Sequence, residues 1–182
     1  MLFRSRDGLE LGRFVLLDEV PGNGETWFLG RAFRFLRQEG FAGVVSFSDP
    51  CLRTNQHGEL VFGGHVGWIY QGHNAVYLGR GRARRLKLLP DGSILSPRAM
   101  QKVRASEKGV GYVVRRLCSF GATTPESWEP EDLTAWLNHW TDPAQGLCRH
   151  VHHRGNHKYA WSLSRWVELP CGLPYPKQLD LP

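Results

Sequence analysis

Two short stretches hold the side chains best suited to proton transfer. In the first, Ser46–Pro50 (SFSDP), Asp49 directly follows an apolar run that reads as a strand, and ligand sites of open α/β sheets gather beyond the carboxyl ends of their strands. In the second, His65–Gly79 (HVGWIYQGHNAVYLG), Tyr70 falls on a short helix and can donate a proton if its hydroxyl faces the same cleft. A structural account competes, with Asp49 capping a turn and Tyr70 serving as a core aromatic with a satisfied hydroxyl. The residues alone leave both readings open.

A third stretch, Pro21–Thr26 (PGNGET), is a glycine-rich turn that opens a helix. Such a turn can hold a phosphate, because free amides and the helix dipole both face the anion, and Gly22, Asn23, Gly24 and Thr26 would line it. Glu25 brings a carboxylate to the same amides, and Asn23 between two glycines suits a left-handed turn. These residues favour a tight corner over a phosphate cradle. The fourth stretch gathers Cys148, His150, His152, His153 and His157 within ten residues. The types are metal-capable, but they equally suit a polar, basic loop that touches phosphates, and no metal site is assigned, because geometry rather than ligand count decides metal binding.

The elements that must position these groups follow from hydrophobic periodicity. Leu11–Val20 has the apolar, β-branched composition of a buried strand. Thr26 then caps a helix over Trp27–Glu39, with Leu29, Phe33 and Leu36 on one side and Arg31, Arg34 and Gln38 on another. Gly43–Ser48 is the next strand, which makes a strand–helix–strand crossover. Cys51–Gly64 reads as an inserted hairpin or loop, His65–His73 as a short helix weakened by Gly67 and Gly72, and Ala75–Gly79 as a strand. A Pro90-Asp91-Gly92 turn joins Leu86–Leu89 to Ser93–Leu95. Ser96 caps a helix with Pro97 in its first turn. Further helices run from Glu107 to Cys118 and onward from Pro130, where Leu133, Trp136, Leu137 and Trp140 form a stripe read as core. Tyr159–Ser164 is a late strand, and Leu169–Pro182 a proline-rich wrap or frayed end.

With 182 residues, one domain is expected, burying about 70% of its unfolded surface. Within it, residues 11–81 form the core crossover, 82–145 a basic hairpin and helical insertion, 146–166 the closing strand and 167–182 the tail. The composition, 41% hydrophobic and 22% charged, excludes a disordered or fibrous chain. No apolar run approaches the roughly 20 residues that span a bilayer, so the expectation is a cytoplasmic protein without membrane contact. Cys51, Cys118, Cys148 and Cys171 lack a C-x-x-C pair and read as free thiols. The charge is uneven: Arg80, Arg82, Arg84, Arg85, Lys87, Arg98, Lys102, Arg104 and Lys108 face only Asp91 and Glu107 within one segment. That excess is the footprint of a polyanion-binding surface, with a merely solvated basic face as its alternative.

The order VLLDEVPGNGETWFLGRAFRFLR, VVSFSDP, GHVGWIYQGHNAVYLGRG and HHRGNHKYAW resembles the phage Mom DNA modification family. The resemblance implies a GNAT-like fold, a mixed α/β sheet flanked by helices, here lacking the amino-terminal strands or drawing them from a partner, and carrying a basic helical insertion. It implies transfer of a carbamoylmethyl (acetamido) group to the exocyclic amine of adenine, which protects DNA from restriction. Asp49 and Tyr70 match the family's functional aspartate and tyrosine, and Asn156, His157, Lys158 and Tyr159 match its closing element. With Ser48 and His65 these become the expected substrate contacts, and Arg80, Arg82, Arg84, Arg85, Lys87, Arg98, Lys102 and Arg104 the expected DNA contacts. The chain departs from the pattern in the long insertion between Asp49 and His65 and in a turn without the leading Arg or Gln of the GNAT pyrophosphate loop. It also departs in beginning after the family's amino-terminal His-Tyr pair. Acyl-CoA, iron and zinc therefore stay open as cofactors, as does a homodimer. An acyl-CoA-dependent N-acyltransferase and a non-catalytic DNA-binding relative are the competing functions.

Overall fold

The computed structural model describes residues 7–180 apart from 13, 18 and 21. In chain order the elements are β1 (Gly8–Leu11), α1 (Gly24–Gln38), β2 (Gly43–Ser48), β3 (Arg53–Thr54), β4 (Leu60–Phe62), α2 (Trp68–Gly72) and β5 (Val76–Arg80). They continue with β6 (Arg84–Leu88), α3 (Pro97–Arg104), α4 (Val110–Cys118), α5 (Pro130–Trp140), β7 (Arg149–His153) and β8 (His157–Ser162). The class is mixed α/β, with a mixed sheet and helices packed on it. Over its described residues the chain divides into two compact units: residues 7–51, Gly64–Arg82 and Arg154–Asp180 in one, Leu52–Gly63 and Ala83–His153 in the other.

The first unit is built on the sheet β1-β2-β8-β5, in which β1 runs parallel to β2 and the other pairs are antiparallel. The expected crossover is present, but its first strand is Gly8–Leu11, not Leu11–Val20. That apolar run leaves the sheet after Leu11, so Val15 and Leu17 stand 77% and 71% exposed. Arg13, Asp18 and Pro21 of the same stretch lie outside the described residues. β1 fills the β2 edge from Gly8↔Gly43 to Leu11↔Ser46, and a run that continues past the end of its ladder loses its backbone partners. On α1, Leu29 and Phe33 are buried as their spacing foretold. Strand alternation sends His157, Tyr159 and Trp161 to one face of β8, opposite Ser48, Ser46 and Val44 of β2. Phe33 meets Trp161 edge to face at 5.1 Å, and Tyr70 from α2 meets Tyr159 at 5.4 Å.

Gly67 does not weaken α2 but starts it. Its φ of 78° is left-handed, and a Cβ there would come within 2.8 Å of the Tyr159 ring and 2.9 Å of the Tyr70 ring. The Leu169–Pro182 segment is a wrap over its described part, through Asp180: Leu173 donates to the Tyr77 carbonyl, the Tyr175 hydroxyl to the Ala75 carbonyl, and Asp180 N–H to the Pro50 carbonyl.

The second unit packs α3, α4 and α5 around Leu95, Val103, Val113, Leu117, Leu133 and Leu137. Trp136 and Trp140 are partly buried against this cluster, as the stripe on α5 requires. Ser96 Oγ accepts from Ala99 N–H at 3.1 Å with Pro97 in the first turn, a cap worth about 1 kcal/mol. The Pro90-Asp91-Gly92 turn is present, but the strand it was to feed shrinks to a bridge between Leu88 and Ile94. The true partner of β6 is β7, in the register Arg84↔His153 to Leu88↔Arg149. The histidine-rich stretch is therefore a strand rather than a loop, and the inserted 51–64 stretch carries the β3-β4 hairpin.

Candidate functional site

Asp49 stands at the carboxyl end of β2, where the strand gives way to Pro50. Its Oδ1 accepts the Cys51 N–H at 3.0 Å, which closes a side-chain turn, and its carbonyl accepts the His65 N–H at 2.8 Å. The second bond brings the far end of the hairpin insertion back beside the carboxylate. Burial lowers the His65 pKa, and the Asp49 carboxylate opposes that shift, so the imidazole is neutral near pH 7. Its ring meets Tyr70 edge on, with centroids 6.3 Å apart. Asp49, His65 and Tyr70 thus form one chain of neighbours on one unit. The Tyr70 ring is buried against Tyr159 and Trp161, while its hydroxyl takes no hydrogen-bond partner among the described residues.

Beneath that cluster lies a polar network within an aromatic core. Tyr159, wholly buried, donates to the Val66 carbonyl and accepts from Gln71 Nε2 at 3.3 Å. The same amide donates to the carbonyls of Val66 and Pro176, at 3.0 and 3.2 Å. Burial pushes the Tyr159 phenol up to about 12, which keeps it a donor throughout the working pH range. The Ser48 hydroxyl is buried beside it and makes no hydrogen bond of normal geometry. Next along β8, His157 Nδ1 pairs with the Tyr77 hydroxyl at 2.8 Å. Asp180 from the tail grips Arg80 through both oxygens, with one bond of 2.8 Å. Hydrogen bonds from Arg80 hold the Asp180 carboxyl below the usual range, and Asp180 raises the Arg80 pKa in return.

This geometry revises several expected roles. His157 and Tyr159 are 1% and 0% exposed, so they lie beneath the surface rather than on it. Lys158 points to the other face by strand alternation, and Asn156 receives the Gly81 N–H on its carbonyl. Gln71, Tyr77 and Asp180 take part without having been singled out. Tyr77 was visible as an inward position of a strand beside the histidine motif, whereas nothing in the local sequence links Asp180 to Arg80, 100 residues away.

The glycine-rich turn is a corner by geometry. Asn23 is left-handed at φ 76° and caps without its side chain, Thr26 Oγ1 donates to the Asn23 carbonyl, and a Cβ on Gly24 would collide with Val20. Gly22 and Gly24 thus shape the entry to α1, and Glu25 already gives its first turn a negative charge.

The basic segment, which runs from the first unit into the second, is sorted by its neighbours. Lys87 Nζ donates to Thr141 Oγ1 at 2.7 Å, with burial lowering its pKa, and Arg98 is paired with Glu107 at 2.6 Å. With Arg80 held by Asp180, these three are not free cations. Arg82, Arg84, Arg85 and Arg104 are exposed, and Lys102 is half-buried. Arg85 lies directly across from exposed His152 on the β6-β7 ribbon. Alternation puts His150 and His152 on one face of β7 and His153 on the other, and among the described residues no three His, Cys, Asp or Glu side chains are placed to hold a metal ion. The four cysteines are free thiols. No helix among the described residues is long and apolar enough to cross a membrane.

The model of the Mom protein family matches residues 3–121, well over half of the chain. The chain belongs to the Mom family. That family is associated with DNA modification, a group-transfer activity. The match takes in Asp49, His65, Tyr70 and the whole basic segment, and it ends before the histidine-rich strand β7. No curated protein and no solved structure matches the chain.

Proposed function

We propose that this chain is a phage-type DNA base-modification enzyme that transfers a carbamoylmethyl (acetamido) group to the exocyclic amine of adenine. The observation that carries the reading is the Asp49–His65–Tyr70 cluster at the carboxyl end of β2 in a Mom family chain. An exocyclic amine cannot be reached inside a duplex, so the base leaves the stack at a cost of a few kcal/mol. Phosphate contacts offset that cost. Exposed Arg84 and Arg85 on the β6-β7 ribbon suit that task, since a two-stranded ribbon fits the major groove. At the cluster, Asp49 orients the amine and takes its proton as the new N–C bond forms. The Tyr70 hydroxyl, without a hydrogen-bond partner among the described residues, protonates the group that leaves the donor. Neutral His65, beside both, offers a ring nitrogen to the substrate.

The test is mass spectrometry of nucleosides from DNA of cells expressing the gene. A modified adenine is expected with the unaltered chain, and Asp49→Asn and Tyr70→Phe should each reduce its yield by about 100-fold or more. Only ordinary nucleosides from the unaltered chain, or an undiminished yield from both variants, would sink the assignment.

A further inference from the structure

At the other end of β2 lies a second opening. A cleft of about 600 Å³ is lined by Arg37, Gly40, Phe41, Ser162, Leu163, Ser164 and Arg165. Two guanidinium groups face it and no carboxylate lines it. Arg37 spends its Nε on the Leu163 carbonyl at 3.0 Å, which fixes the fork, and its terminal amino groups have no partner among the described residues. Arg165 lies over the Trp166 ring at 4.6 Å and likewise has no carboxylate partner there. The loop that carries Arg165 is tied down: Ser162 Oγ is within 2.6 and 2.9 Å of the Ser164 and Val167 carbonyls, and Trp166 N–H donates to Ser164 Oγ at 3.3 Å. Ser164 keeps its own hydroxyl hydrogen for a ligand.

We infer that this cleft grips a backbone phosphate of the DNA strand, at a point remote from the reacting base, with Trp166 as a stacking plate for an unpaired neighbour. The inference rests on DNA being the substrate. Two uncompensated guanidinium groups, one already locked by its Nε, present the fixed donors that a phosphate accepts in pairs. Trp166 is 80% exposed beside them, and an aromatic face next to a cationic groove takes bases of any sequence. Ser162 pairs with Gly43 at the start of β2, whereas Asp49 follows its last residue. At about 3.4 Å per residue the two openings are about 20 Å apart, roughly six stacked base steps. One strand can therefore lie across both.

Fluorescence anisotropy of a labelled single-stranded oligonucleotide and its duplex, across a salt series, tests the assignment. Arg37→Gln with Arg165→Gln should weaken binding about 10-fold and make the slope of log K against log salt shallower by about one to two units. Trp166→Leu should weaken single-strand binding more than duplex binding. Arg165→Gln alone, at an exposed position, repeats the test if the double variant folds poorly. Unaltered affinity and slope in the arginine variants, with the parent chain binding DNA, would overturn the cleft and spare the enzymatic reading. If the parent chain binds no DNA, the enzymatic reading fails first and takes the cleft with it. A cleft that saturates with adenosine monophosphate, in an arginine-dependent way, while DNA affinity is indifferent to the same variants, would mark a free nucleotide as the ligand and overturn the strand assignment.

Discussion

Around Tyr159 the interior is made of rings and hydroxyls, while around Leu137 it is made of aliphatic side chains. Both cores exclude water, but they specify their contents differently. In the aromatic core most polar tips have a partner of their own: Tyr159 finds Val66 and Gln71, Tyr77 finds His157, Tyr175 finds Ala75, and Trp161 donates to the His73 carbonyl. A hydrogen bond has direction, and an orphaned buried group costs more than a made bond gains. Such a core therefore sets orientation as well as position. The fully buried members of the core among α3, α4 and α5, aliphatic apart from Cys148, have no such demand and tolerate rearrangement provided their volume is kept. The candidate reactive groups Asp49, His65 and Tyr70 sit on the first kind of core, where fixed orientation serves chemistry.

Three measurements sharpen or break this contrast. The largest effect is expected from Leu137→Ala, at a wholly buried position in the aliphatic core. It should cost about 2–5 kcal/mol in urea unfolding; a loss below about 1 kcal/mol would mean that the helices close the cavity and are not close-packed. Next, Tyr159→Phe keeps the ring but strips the Val66 carbonyl of its hydroxyl donor and Gln71 of one acceptor. A loss of about 1–3 kcal/mol is expected in the same measurement, and a neutral or stabilising result would show that the hydroxyls do not specify this core. The smallest effect concerns the Arg80–Asp180 clasp. Because the Asp180 carboxyl is held below its ordinary range by hydrogen bonds from Arg80, the clasp contributes stability above the ordinary carboxylate pKa and loses it as pH falls through the lowered value. The protection factors of the Leu173 and Asp180 amides, which bond to Tyr77 and Pro50, should fall at acid pH in the parent chain. In Asp180→Asn they should be low at neutral pH already, with little further acid response. An acid response preserved in that variant would place the titrating group elsewhere.

Much of the fold was legible where local signals agreed. β2 spans Gly43–Ser48 as read, α5 begins at Pro130, and Ser96 caps α3. Legibility failed where pairing decided. The apolar run after Leu11 looked like a strand because composition cannot report that pairing with β2 stops at Leu11↔Ser46, and the histidine-rich stretch looked like a loop because polar residues hid its pairing with β6. Gly67 looked like a helix breaker until two tyrosine rings explained the missing side chain. In the candidate site, Asp49, His65 and Tyr70 were marked by their types and by the strand end that precedes them. Gln71 and Asp180 were not, since an amide and a tail carboxylate acquire meaning only from what they touch.

The sequence by itself determined which residues can exchange protons, where β2, α3 and α5 start, and that one segment is strongly basic, because these follow from side-chain chemistry and local backbone preference. Tertiary structure alone decided that His65 returns to Asp49 across a fourteen-residue insertion, that His157 and Tyr159 lie beneath the site, and that Arg80, Arg98 and Lys87 are spent on partners within the chain. The physical reason is the same throughout: burial and pairing depend on contacts between residues distant in sequence, which no short window of the chain contains.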